Sequence, residues 1–125
     1  MNTLNIDRSI AAILEAARQG KFISYGDVAK ANGFAWSFTM NHLMPKHLDM
    51  VLTKADTRGW PLITAVVVNK QNILSGKLEE KSLSGFVSGA RGLGYDVGDN
   101  DRHAFLEEQQ RETFAFAKTY QGGDR

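Results

Sequence analysis

Only one stretch of this chain, Pro61–Asn69 (PLITAVVVN), is dense in β-branched residues. Such side chains favour the pleated surface of a strand and lose freedom in a helix. A chain with a single run of this kind can form only a small sheet, so its core must come from helices. The run reads as a buried strand, Lys70-Gln71-Asn72 as a turn and Ile73-Leu74-Ser75 as a short second strand, together a β-hairpin.

Helical signals surround it. Ile6, Ile10, Ile13, Leu14 and Ala17 recur at helical spacing behind the N-cap candidate Asn5, and Gly20 ends the segment. Ser24 opens a second helix over about Tyr25–Asn32, with Asp27 expected to reach back as a short-armed capping box, and Gly33 closes it. Ser37 caps a third helix through Phe38 to Met44. Pro45 lacks an amide donor and crowds the preceding turn, so the helix is expected to break there. A further segment, Lys46–Thr57, keeps Leu48, Val51, Leu52 and Ala55 on one side and stops at Gly59. Beyond the hairpin, Leu83, Phe86, Val87, Ala90 and Leu93 share a face, and Gly85 and Gly89 suit a close backbone approach. Asp101 is the candidate cap of a last helix, Arg102 to about Tyr120, anchored by Phe105, Leu106, Phe114 and Phe116. Residues 121–125 are expected to fray.

A length of 125 residues fits one domain, expected over residues 1–120, and 42% hydrophobic residues suffice for one core. The absence of cysteine excludes disulfides, thiolate nucleophiles and cysteine-ligated zinc. The polar start Met1-Asn2-Thr3-Leu4-Asn5 lacks the features of a secretory signal, and no apolar run reaches membrane-spanning length. A cytoplasmic protein with no membrane partner is the expectation. The net charge of +1 hides an asymmetry: residues 21–91 carry nine basic and five acidic side chains, residues 92–125 four basic and seven acidic. A basic middle suggests a surface facing a polyanion, although ordinary solvated charge would give the same counts.

The order helix, capped helix, tight turn, helix, hairpin is that of a winged helix, whose third helix enters the major groove while the hairpin touches the flanking backbone. The fold expected is therefore mostly α with a small β-hairpin, a winged helix-turn-helix with additional C-terminal helices. Ala29 and Gly33 supply a small residue at a helix crossing and a glycine for the turn, with Val28 and Phe34 as buried flanks. Thr39 and His42 stand where a strict helix-turn-helix prefers apolar residues.

Ile23-Ser24-Tyr25-Gly26-Asp27-Val28-Ala29 resembles the SYGxVA segment that opens the DNA-binding helix-turn-helix of alkylguanine-DNA alkyltransferases and their alkyltransferase-like relatives. Pro61–Val68 occupies the place of their PxxIPCHRV segment, and the likeness runs from about residue 6 to residue 93. The resemblance implies the winged-helix fold, double-stranded DNA as partner, and a place for Tyr25 against the DNA backbone. A helix-start aromatic tucked into the core is the competing role for Tyr25. The departures bear on activity. Ala65 stands at the position of the acceptor cysteine, Val66 at that of the neighbouring histidine, and Ser37-Phe38-Thr39-Met40-Asn41 holds no arginine finger. Alkyl transfer needs a thiolate, so no enzyme activity of that kind is expected.

Two readings follow. In the first, Lys46, Lys54, Arg58, Lys70 and Lys77 contact phosphates, while Thr39, Asn41 and His42 lie nearest the base edges. In the second, the same frame is a protein-binding module or small inhibitor, with Trp36, Phe38 and Trp60 as its aromatic contacts. An apolar patch on the third helix would favour the second reading and a continuous basic stripe the first. No cofactor or metal is expected. His42 and His47 are five apart across Pro45, which fits no metal pair. His103, with Asp99, Asp101 and Glu107, permits an acid–base or metal reading, but it is explained more simply as a helix start that favours acids. Asp96–Asp101 lacks the order of a calcium loop.

Overall fold

The computed structural model describes residues 4–120; the expected fraying of 121–125 falls outside them. Among the described residues there are five α-helices and one two-stranded sheet: α1 (Ile6–Arg18), β1 (Ile23–Ser24), α2 (Tyr25–Ala31), α3 (Phe38–Thr57), β2 (Val67–Val68), α4 (Glu80–Gly92) and α5 (Arg102–Thr119). None of these helices is long and apolar enough to cross a membrane.

The helix starts follow their caps. The Asn5 carbonyl side chain accepts the Arg8 amide at 2.9 Å, Ser24 Oγ that of Asp27 at 3.0 Å, and Ser37 Oγ that of Met40 at 3.1 Å. Asp27 is exposed and makes no return bond among the described residues, so the expected capping box has one arm. Asp101 precedes α5 without a side-chain capping bond; it ends a short 3-10 turn, Asp99–Asp101, that leads into the helix.

Pro45 does not break α3, which runs unbroken for 20 residues. Met40, Met44, His47, Val51 and Ala55 form a buried stripe on both sides of the proline, and this packing holds the helix through it. Pro45 and Asn41 are both exposed, so the Asn41 carbonyl that loses its amide partner stays open to water.

Among the described residues the expected hairpin does not form. The Pro61–Asn69 run instead forms a 3-10 turn, Ile63–Val66, then β2, which pairs in parallel with β1 in the register Ile23 to Val67 and Ser24 to Val68. A parallel pair needs a long crossover, here supplied by α2 and α3. Lys70–Asn72 coils into another 3-10 turn, and Ile73–Ser75 is a turn rather than a strand. The bonds that a partner strand would have made are provided by α5. Gln109 Oε1 accepts the Leu62 amide at 2.9 Å, and Gln110 Nε2 donates to the carbonyls of Ala65 at 2.9 Å and Gly76 at 2.8 Å. With these bonds and the pairing to β1, the run stays buried without a strand at Ile73–Ser75.

Two apolar clusters meet at Phe22. The first joins α1, α2, α3, β1 and the end of α5 through Ile13, Ala17, Val28, Met44, Val51 and Val67. The second joins α4 and the start of α5 through Leu62, Leu83, Val87, Val97 and Leu106. At Gly89 a Cβ would stand 2.8 Å from Leu52 Cδ2, so α4 approaches α3 closely there, whereas Gly85 faces open space.

Gly76 has φ +75°, and a Cβ there would overlap the Phe22 ring. Gly94, at φ +101°, has nothing within 4 Å. Gly94→Ala should cost only the left-handed backbone strain, about 1–2 kcal/mol. Gly76→Ala should add the displacement of a core aromatic, reaching about 3 kcal/mol or more. Urea unfolding of the two variants checks the difference; equal losses would mean that Phe22 does not close on Gly76.

Candidate functional site

The α2–turn–α3 unit is built from short-range signals. Ala29 is fully buried where α2 meets the core, and Val28 beside it is likewise buried. Gly33 takes φ +87° and lets the chain reverse, with the Phe34 amide donating to the Ala29 carbonyl at 3.0 Å. Phe34, expected to be buried, is half-buried.

A polar cluster beneath this unit fixes the direction of α3. His47, on the buried stripe of α3, shares a 2.6 Å hydrogen bond between Nε2 and Ser9 Oγ of α1. Asn32, at the end of α2, donates from Nδ2 to Ser9 Oγ and to the Val28 carbonyl, both at 2.9 Å, and accepts the Asn5 amide at 2.7 Å. Four polar residues thus join α1, α2 and α3. Only the position of His47 in the Met40-Met44-His47-Val51 spacing signals this in the sequence, and its partner Ser9 lies 38 residues away.

The opposite side of α3 is open. Phe38, His42, Lys46, Asp49 and Thr53 recur at helical spacing along it, with Thr39, Leu43, Met50 and Thr57 in the adjacent row. Phe38 is 79% exposed, and Trp36, Leu43 and Met50 are 45%, 47% and 45% exposed. The His42 ring packs edge-on against Phe38 with centroids 4.5 Å apart. Thr53 and Thr57 turn their hydroxyls back to the carbonyls of Asp49 and Thr53, at 3.0 and 2.9 Å. Beside the start of α3 an open groove of about 470 Å³ is lined by Gly26, Lys30, Gly33, Phe34, Ala35 and Trp36.

The expected DNA-contacting residues are not gathered on this face. Thr39, His42 and Lys46 are exposed along it, but Asn41, two positions from Thr39, points about 160° away around the helix. Lys54 donates to Asp7 of α1 at 2.8 Å and holds that carboxyl below its ordinary value. Arg58 lies over the Trp60 ring at 5.0 Å. Trp60 itself packs against Phe116 and Tyr120 rather than facing outward. Lys70 and Lys77 are exposed on the turn that replaces the hairpin, around Leu74, which is 96% exposed. Tyr25 is partly buried against the core, and burial pushes its phenol up. Ala65 and Val66, at the positions of the family's cysteine and histidine, are buried in the 3-10 turn.

The acidic segment is engaged in local ion pairs. Asp99 meets Arg91 at 3.0 Å, and Arg91 also donates to the Val97 carbonyl. Arg102 is paired with Glu80 at 2.8 Å. Among the described residues no group of three His, Cys, Asp or Glu side chains could hold a metal ion. No protein family, no curated protein and no solved structure matches this chain.

Burial pushes the His47 imidazole below its ordinary value of 6.5, and its Nδ1 has no hydrogen-bond partner. The protonated ring would carry a buried N–H with nothing to receive it. A histidine whose folded value is depressed contributes its full stability above about pH 6.5 and loses it as pH falls below that. Asp7 and Glu80, held down by Lys54 and Arg102, give up their contributions only below the ordinary carboxylate range. Unfolding free energy should therefore fall as pH drops below about 6.5, by at most about 1.4 kcal/mol per pH unit from this group. Urea titrations of the wild type and His47→Gln check this. A variant that keeps the full slope would remove His47 as its source.

Proposed function

We propose that this protein is a non-enzymatic binding module whose working surface is the outward face of α3 and whose partner is a protein. One observation carries the reading: four large apolar side chains, Trp36, Phe38, Leu43 and Met50, are exposed on α3 and its lead-in, on either side of Lys46. Clustered exposed apolar side chains mark contact surfaces, whereas scattered ones need no explanation. Aromatic and Met side chains are also the types enriched at the cores of protein interfaces. Lys46 sits among them rather than in a basic row, because Lys54 is paired with Asp7 and Arg58 is stacked on Trp60.

Duplex DNA on the same face is the second reading. It is supported by the capped α2, the Gly33 turn, and the exposure of Thr39, His42, Lys30 and Lys46 around the start of α3. Lys30 and Lys46 make no salt bridge among the described residues. The helix-turn-helix order and the SYGxVA-like segment agree with it.

Two measurements separate the readings. Immobilised wild-type protein should retain a partner from a nuclease-treated extract of its own cells, and Phe38→Asp should reduce retention at least about tenfold, as for an interface anchor. Labelled random duplex DNA in a fluorescence-anisotropy salt series should show no binding. Micromolar binding that weakens steeply with salt would replace the protein reading with the DNA reading.

A further inference from the structure

We infer that the outward face of α3 docks on the same face of a second copy of this chain, with the two helices antiparallel across a two-fold axis. The inference rests on reading this face as a protein-binding surface and names its partner.

The argument is one of self-complementarity. A two-fold contact brings the same patch of both copies together, so each residue pairing occurs twice. In an antiparallel pair related this way, each flank of one helix lies beside the same flank of the other. The Leu43 and Met50 flank therefore meets its own copy, apolar against apolar. The charged residues of the face set the register. Lys46 and Asp49 are three positions apart, and a centre midway between them puts Lys46 opposite the second copy's Asp49, twice over. In that register Met50 falls about 3 Å along the axis from the second copy's Leu43, within side-chain reach. Phe38, on the other flank, falls about 6 Å along the axis from the second copy's Thr53. One register thus pairs both charges and brings the Leu43 and Met50 flank against its own copy, while a parallel arrangement would set Lys46 beside Lys46.

Two neighbouring elements border this face. The Lys54–Asp7 pair with α1 borders the face on one side. On the other, α4 packs so closely at Gly89 that a Cβ there would come within 3.0 Å of Asp49 Oδ1, yet Asp49 remains exposed. A contact along one 20-residue helix is about 30 Å long and lies at the small end of specific interfaces, which makes the association reversible and concentration-dependent.

Sedimentation velocity of the purified protein over a concentration series tests this. The wild type should pass from monomer to dimer as concentration rises. Lys46→Glu and Asp49→Lys, each alone, set like charges opposite one another and should weaken self-association by about tenfold or more. An equimolar mixture of these two variants should associate again, because both cross-pairs become attractive. All the substituted positions are exposed, so folding is not the quantity being read. Three outcomes would overturn the inference: a wild type that stays monomeric, a dimer indifferent to both charge reversals, or a mixture that fails to recover. A monomeric protein that still captures a different partner in a Phe38-dependent manner would retain the protein-binding reading and lose only the second copy. A monomeric protein with no such capture would lose both.

Discussion

The hydrogen bonds among Ser9, Asn32 and His47 decide where α3 points, and the outward face exists because they hold. Apolar packing alone leaves a helix some freedom to roll or slide, since hydrophobic contacts are non-directional. A buried histidine and asparagine remove that freedom: an α3 rolled by one position would strand His47 Nε2 and Ser9 Oγ without partners, at a cost of about 1–3 kcal/mol per group. Because Asn32 also receives the Asn5 amide, the cluster locks the entry to α1 and the exit from α2 in the same arrangement. With His47 fixed inward, helical geometry sends Phe38, His42 and Lys46 outward. The cluster acts as a positioning device for a surface that none of its members touches.

A second polar device does for the β-branched run what the first does for α3. Gln109 and Gln110 lie on α5, about 45 residues from the backbone groups they bond. They stand in for a missing strand, which lets a stretch with strand composition coil into a 3-10 turn beneath the helices. Gln110 also ties down Gly76, on whose bare backbone the Phe22 ring rests. The two apolar clusters meet at that ring, so the same glutamine helps to hold them together.

What was legible in the sequence was local. Asn5, Ser24 and Ser37 each accept the amide three residues on, and Gly20, Gly33 and Gly59 each adopt the positive φ that ends a helix. The mostly helical composition and the inward faces of α1 and α4 also follow from periodicity. The errors came where a distant residue overrode a local preference. The hairpin yielded to two glutamines on α5 and to pairing with Ile23 and Ser24. The break at Pro45 yielded to the buried stripe that continues on both sides of it. At the candidate site, residue identity was readable but partnership was not. Nothing near Lys54 or Arg58 in sequence announces Asp7 as the partner of one, and the Arg58–Trp60 stacking removes the other from a phosphate row.

The charge of the middle of the chain illustrates how composition and surface diverge. Residues 21–91 have a basic excess, which a linear count assigns to a polyanion-facing surface. Folding spreads that excess: Lys54 turns to α1, Arg58 lies over an indole, Arg91 turns to Asp99, and Lys70 and Lys77 sit on a turn beyond β2. The face of α3 keeps one lysine, one aspartate, and apolar groups on either side of them. A surface with that pattern gains little from a uniform row of phosphates, because its aspartate repels what its lysine attracts. It gains most from a partner that offers one acid, one base and apolar side chains at matching intervals. A helix of the same sequence, reversed in direction, offers that pattern.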